Sequence, residues 1–524
     1  MRAATAATAL ALLLAACGGG DSADGELRPA PGEDVLVSQD RNPVIARNSP
    51  SLAVNPTQRT NMVVVDRVDR PDYTAGVHVT NNGGGNWQDV NLKLPAGNRG
   101  KLFAPSAAYD GKGILYVSYV TLSGPGNSPD SFWIARSGDG GLSFDEPTKI
   151  AGPHTFQTSI AVDQKSGRVF ASWLQSRPEA TMCILCFAQT GIPIVVSRSE
   201  DGGRTWTPSA QVSDGGRMRV GAPALAVDAD GNPAVLYLDY GNDRLDWENL
   251  PGTYDGKFSV VMARSGDQGL RWEPGRVVDA DMVPAGRFLV YLPVSPGFAI
   301  GSNGDMYAVW ADGRSGDADV LLRRSTDDGK TWSKPVQVNR GTVGDGVPQD
   351  MPSVSVAPGG RVDVVYYDRT IDRRGSTADV LLSSSSNSGK SFSKTVRLSD
   401  ASSNRKIGPP GSPFSPEADF GTHIAVASLA GGAVAAWTDT RSSTVEGGKQ
   451  DIFSAQVALD DNTSLSLAYK LLAGLGLLLA VAGITLFVLS RRAKKQAQPP
   501  AAPADVPTDR PPPPPPLVPS PGQV

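Results

Sequence analysis

Ser325-Thr326-Asp327-Asp328-Gly329-Lys330-Thr331-Trp332 is the stretch around which the chain is arranged. It recurs with variation at Thr80–Trp87, Ser137–Phe144, Ser199–Trp206, Ser265–Trp272 and Ser385–Phe392. The shared pattern is Ser/Thr-x-Asp/Asn-x-Gly-x-x-Trp/Phe, and its closing aromatics follow one another at 57 to 66 residues. A fixed period of this size marks a repeat architecture. The residue types predict a tight β-hairpin turn. An Asp or Asn side chain accepts a hydrogen bond from the backbone NH two residues on. Gly in fifth place takes positive φ without a Cβ clash. The Ser or Thr hydroxyl adds a second local bond. The aromatic opens the next strand and packs inward.

Working outward from each turn, the chain divides into seven similar sets of strands. Inner strands open near Pro50, Pro105, Gln157, Ala222, Pro296, Pro352 and Asp419. Second strands follow with period-two apolar alternation, as in Val63–Asp66, Val235–Tyr240 and Val434–Trp437. Alternation bounded by Gly, Asp and Pro reads as strand, and no long helical pattern interrupts it. The seventh set ends at Val457 without a turn motif or a fourth strand. Asp34-Val35-Leu36-Val37-Ser38 is similar to the fourth strands elsewhere and has no blade of its own. It is expected to complete the last blade and remove an exposed sheet edge.

The repeated turn resembles the Asp box, or BNR repeat, of the sialidase superfamily, and the resemblance covers residues 34–458. It implies an all-β fold, a β-propeller; the strand sets count seven blades, a departure from the six of sialidases, with a six-bladed ring as the alternative. It also implies action on glycans or binding to them. The turn itself is structural, since the same box occurs in propellers without sialidase activity.

Composition narrows the function classes. A 524-residue chain exceeds one ordinary core, which a repeat fold accommodates. The formal net charge of -4 gives no reason to expect a nucleic-acid partner. Three cysteines and three histidines are too few for a disulfide scaffold or a histidine-built metal centre, so no metal and no cofactor is expected.

The ends read as membrane attachments. Residues 1–17 have a positive start, an apolar run and a small-residue site, as a signal peptide does. Leu14-Ala15-Ala16-Cys17 resembles a bacterial lipobox, which implies lipidation of Cys17; ordinary cleavage is the alternative. Residues 18–33 form a flexible tether. After a linker at 459–470, residues 471–490 carry no charge and are long enough for a transmembrane helix. The basic cluster Arg491-Arg492-Ala493-Lys494-Lys495 places the 491–524 tail in the cytoplasm and the propeller outside the cell. Residues 499–521 are Pro-rich and expected to be extended. The partners expected are a glycan or a surface protein, and the membrane.

Candidate site residues follow from propeller topology, in which the loops entering inner strands gather on one face. Those loops offer Arg47, Arg219 and Arg287 as carboxylate-binding guanidiniums. The resemblance to sialidases implies a Tyr nucleophile, a Glu and an Asp acid/base, for which Tyr291, Glu417 and Asp350 are available. Arg47-Asn48-Ser49-Pro50 departs from the family's Arg-Ile-Pro by one extra residue. A second repeat, aromatic-x-Asp-x-Arg at Trp310–Arg314 and Trp437–Arg441, reads as Arg–Asp pairs that hold blades. Cys183 and Cys186 are expected to form a local disulfide outside the cell. The 239–257 loop carries Trp247 and Tyr254 among acids, suited to stacking on sugars or to capping the ring.

Overall fold

The computed structural model describes residues 34–98, 100–124, 127–176, 192–217, 219–241, 257–285, 294–372, 376–410, 418–444 and 447–459, with fragments at 485–486, 489 and 511–516. Its strands form seven antiparallel sheets, each ordered from the inner strand A to the outer strand D. Blade 1 contains Ala46–Val54, Met62–Arg70, Thr74–Thr80 and Gln88–Asp89. Blade 2 contains Leu102–Tyr109, Leu115–Ser123, Ser128–Ser137 and Thr148–Ala151. Thr155–Val162, Val169–Gln175, Ile194–Ser199 and Ala210–Gln211 make blade 3. Val220–Val227, Pro233–Asp239, Phe258–Arg264 and Arg276–Met282 make blade 4. Blade 5 is Gly297–Ile300, Met306–Asp312, Asp319–Ser325 and Val336–Gln337, and blade 6 is Gln349–Val356, Val362–Asp368, Thr377–Ser385 and Lys394–Arg397. The fold is thus an all-β propeller, and the count is seven rather than six.

Blade 7 is assembled from both ends of the ring. Its strands A to C are Ala425–Leu429, Gly432–Asp439 and Asp451–Ala458, and strand D is Val35–Leu36. Val35 pairs with Ser454 and Leu36 with Phe453. The bond from Val37 N to Ile452 O (2.8 Å) and that from Ser38 Oγ to Asp451 Oδ1 (3.2 Å) continue the closure. The N-terminal strand therefore closes the ring as expected.

All six repeated turns share one geometry. The first hydroxyl donates to the Asp or Asn side chain, at 2.7 to 2.9 Å in the five serine copies. It also accepts from the glycine NH four residues on, as between Gly329 N and Ser325 Oγ at 2.9 Å. Asp327 Oδ1 accepts from Thr331 N at 2.9 Å, so the side chain closes over four residues rather than the expected two. Asp328 (φ 61°) and Gly329 (φ 73°) both lie in the left-handed region. That pair gives the primed turn that matches strand twist.

Seven apolar cores fill the seven interfaces between adjacent blades. Each closing aromatic wedges into the core shared with the preceding blade: Trp87 between blades 7 and 1, Trp332 between blades 4 and 5, Phe392 between blades 5 and 6. Full burial of such a ring stabilises by up to about 3 kcal/mol. The core between blades 6 and 7 has no such wedge to receive, and Leu459 is buried in it. Strands B are buried on both faces, as all seven residues of Pro233–Asp239 are, so apolar residues run on instead of alternating. A blade between two others has no solvent face for polar residues to occupy.

No helix among the described residues is long and apolar enough to cross a membrane. The expected span at 471–490 lies almost wholly outside the described residues, as do Cys17, Cys183, Cys186, Trp247 and Tyr254.

Candidate functional site at the channel mouth

The seven inner strands converge on a central channel, and only small side chains let seven backbones approach one axis. Sheet register identifies one ring of equivalent positions. Ser51 faces Val65, Ser106 faces Ser118, Ser159 faces Ser172, and Ser353 faces Val365 on the respective second strands. Ala224, Gly297 and Ala425 complete the ring. Just above it, strands A of blades 1, 2, 3, 4 and 6 carry a bulge whose first residue has positive φ: Ser49, Ala104, Gln157, Ala222 and Met351. Bulges of this kind bend a strand and re-aim its side chains. Together with the ring, these bulges line a cup of about 390 Å³.

Hydrogen bonds between inner strands stitch the cup wall. Ser51 Oγ accepts from Ala107 N (3.1 Å) of the next blade, and Ser159 Oγ from Leu225 N (3.3 Å). Gln157 Oε1 accepts from Ala222 N at 2.6 Å.

Among the described residues, charge at the mouth is concentrated where blades 6, 7 and 1 meet, and it is paired. Arg67 Nη2 donates to Asp69 Oδ2 (2.8 Å) and to Asp419 Oδ2 (2.5 Å), and its guanidinium stacks 5.1 Å from the Phe103 ring centroid. Burial opposes the Arg67 charge, but the two aspartates outweigh it and hold the guanidinium protonated. Burial raises the pKa of Asp69, against Arg67. His423 lines the cup, where burial and the nearby Arg67 push its pKa down to about 4, leaving it neutral at pH 7. Beside this group Asp350 holds two arginines, Arg405 Nη1 at 3.0 Å and Arg369 Nη2 at 3.3 Å. Arg405 also lies over the rings of Tyr367 and Phe420, 5.0 and 4.9 Å from their centroids.

Of the expected site residues Arg47, Arg219 and Asp350 are described, and none of the three lines the cup. Arg47 turns away from the channel into blade 1, where Nη1 meets both oxygens of Asp66 at 3.2 and 3.1 Å. Asp66 in turn bonds His78. Arg219 is half-buried, bridges Ile192 by its backbone and does not line the cup. Asp350 is enclosed by its two arginines and does not line the cup either. Tyr291, Arg287 and Glu417 lie outside the described residues. Sequence reasoning missed Arg67, Asp419 as an ion-pair partner, and His423. Arg67 stands one residue beyond the Val63–Asp66 stretch read as strand. His423 carried a usable signal, being one of three histidines and four residues into the seventh inner segment.

The aromatic-x-Asp-x-Arg repeat does form Arg–Asp clamps. Trp310 Nε1 and Arg314 Nε both donate to Asp312 Oδ2, at 2.9 and 2.8 Å, and Arg314 reaches across to Asp279 of blade 4. The aspartate that opens strand C is not part of the clamp: Asp319 binds Asn339 Nδ2 (3.0 Å) and Gly344 N (3.0 Å). Among the described residues no group of three or more His, Cys, Asp or Glu could hold a metal ion.

No family profile and no curated protein matches the sequence. Solved structures are similar at low identity. A protein of unknown function from Dyadobacter fermentans is 14% identical, with 82% of this chain and 99% of that one covered and a TM-score of 0.44. A Hadza microbial sialidase is 14% identical over 77% of this chain and 75% of its own, with a TM-score of 0.44. An ulvan lyase of a polysaccharide lyase family is 10% identical over 83% and 99%, with a TM-score of 0.49.

Proposed function

We propose that this chain is an extracytoplasmic propeller of the Asp-box type that binds glycans and does not hydrolyse sialosides. The observation that supports this reading is the pairing of Arg67, Arg369 and Arg405, arginines at the mouth among the described residues. Arg67 is divided between Asp69 and Asp419, and Arg369 and Arg405 share Asp350. A sialidase-type site needs guanidiniums free to fork onto a substrate carboxylate. Taking one from these aspartates would leave carboxylates uncompensated in partly buried positions, which is unfavourable. In this reading Cys17 carries a lipid, residues 471–490 span the membrane, and the propeller stands outside the cell.

The test has two arms on the same purified chain. A fluorogenic sialoside is expected to release no fluorophore, and a glycan array is expected to retain the protein. Release that Arg219→Ala abolishes would overturn the reading and restore a hydrolase. The anchors are tested apart from this, by membrane fractionation of the wild type and of Cys17→Ser, and by protease accessibility of the tail.

A further inference from the structure

We infer that the cup in the upper channel is a binding site for an uncharged, hydroxyl-rich group about one sugar ring in size, with His423 as its specificity-determining residue. This rests on the glycan-binding reading and deepens it.

Size comes first. A cup of about 390 Å³ lies at the lower end of the range of about 300–1,000 Å³ typical of small-molecule sites. It has room for a monosaccharide unit.

Free hydrogen-bonding groups come second. Of the four ring serines, Ser51 and Ser159 spend their hydroxyls on neighbouring strands. Ser106 and Ser353 line the cup and make no side-chain hydrogen bond among the described residues. His423 Nδ1 lies 2.8 Å from Thr422 Oγ1, and Nε2 has no partner among the described residues. A neutral imidazole nitrogen either donates or accepts, according to tautomer, and a sugar hydroxyl can meet it in either role. Phe103 and Phe298 also belong to the lining, the first stacked on Arg67 and the second packed into the core between blades 4 and 5.

Charge decides the ligand class. Among the described lining residues Arg67 is the one ionised side chain, and it is 2% exposed and committed to Asp69 and Asp419. An acidic sugar would have to compete with two aspartates already in place and would meet their repulsion. A cation would meet Arg67. An uncharged polyol meets neither obstacle.

The test uses the full chain in detergent, with methyl glucoside, methyl galactoside and N-acetylglucosamine as neutral probes, and glucuronic and N-acetylneuraminic acids as acidic ones. Binding is read by saturation-transfer NMR and by the ring-proton resonances of the three histidines. A neutral probe is expected to bind and to shift one histidine resonance, which disappears from the spectrum of His423→Gln. Affinity for that probe is expected to fall at least tenfold in His423→Gln and in Ser353→Phe, which fills the cup. If Ser353→Phe fails to fold, the histidine shift in the wild type and its assignment by His423→Gln decide alone. Binding of only the acidic probes would overturn the inference and leave glycan binding intact. So would neutral binding that shifts no histidine and survives both substitutions. No binding by any probe, with an empty glycan array, would remove the glycan reading and the inference together.

Discussion

Arg441 forks onto Asp34 across 407 residues of sequence, with Nη1 2.7 Å from Oδ1 and Nη2 2.6 Å from Oδ2. Arg441 also holds Asp439 at 2.7 Å and lies 4.2 Å over the Phe453 ring. The two-residue strand Val35–Leu36 is too short to close a ring by ladder bonds alone, and this ion pair fastens it. Arg441→Met leaves Asp34 and Asp439, both nearly fully buried, without their cation. The expected cost is roughly 3–5 kcal/mol, read as a lower urea midpoint. Asp34→Asn is expected to cost less, since the amide keeps one acceptor. Equal stability of Arg441→Met and wild type would show that the ring does not depend on this latch.

His78 gives the fold a dependence on pH. Its Nε2 lies 2.7 Å from Asp66 Oδ1 and its Nδ1 2.6 Å from Asp89 Oδ1. Burial opposes the charged ring, but the hydrogen bonds to the two carboxylates outweigh it and raise the His78 pKa above 6.5. A raised folded-state pKa means stabilisation that is complete below about 6.5, the unfolded value, and lost as pH rises through the folded value. Asp66 and Asp89 shift downward, so their contribution is lost in acid instead. Wild-type stability is expected to fall between mildly acidic and alkaline buffer, and that slope is expected to flatten in His78→Gln. An unchanged slope in the variant would assign the dependence to another group.

The turn chemistry predicts an asymmetry between two substitutions. Asn82 and Asn387 already fill the Asp place in two copies with the same bonds. Asp327→Asn is therefore expected to leave the melting temperature unchanged. Ser325→Ala removes the acceptor for the buried Gly329 NH and is expected to cost about 1–2 kcal/mol. Gly329→Ala is expected to be worse than either, because a Cβ there would lie 1.9 Å from Met262 Cε with φ at +73°.

Asp350 separates two roles. As the clamp between Arg369 and Arg405, its loss in Asp350→Ala is expected to lower stability by roughly 3 kcal/mol. Glycan binding measured well below the new melting temperature is expected to survive. A catalytic acid would give the opposite result, a stable protein without activity.

The repeat, the strand order and the closing strand were legible because they rest on local chemistry repeated many times. A hydroxyl, a carboxyl or amide and a glycine at fixed offsets make the same turn wherever they occur. Arg47, Arg219 and Asp350 were legible as charged residues before inner strands, but not in their roles. A guanidinium reaches far enough to leave the position its backbone occupies, and Arg47 uses that reach to find Asp66 inside the blade. Some partners are two residues off, as Asp69 is to Arg67, but others lie on strands 19 to 407 residues away.

The sequence by itself determined a repeated hairpin unit, with six copies of its turn, and an orphan N-terminal strand able to complete the last blade. Only the tertiary structure decided the pairing of charges at the mouth and the cup below it. Turns are set by hydrogen bonds within eight residues, whereas the channel exists only where seven separate inner strands meet. Its size, its ring of serines and the neutral state of His423 belong to that meeting and to no single stretch of chain.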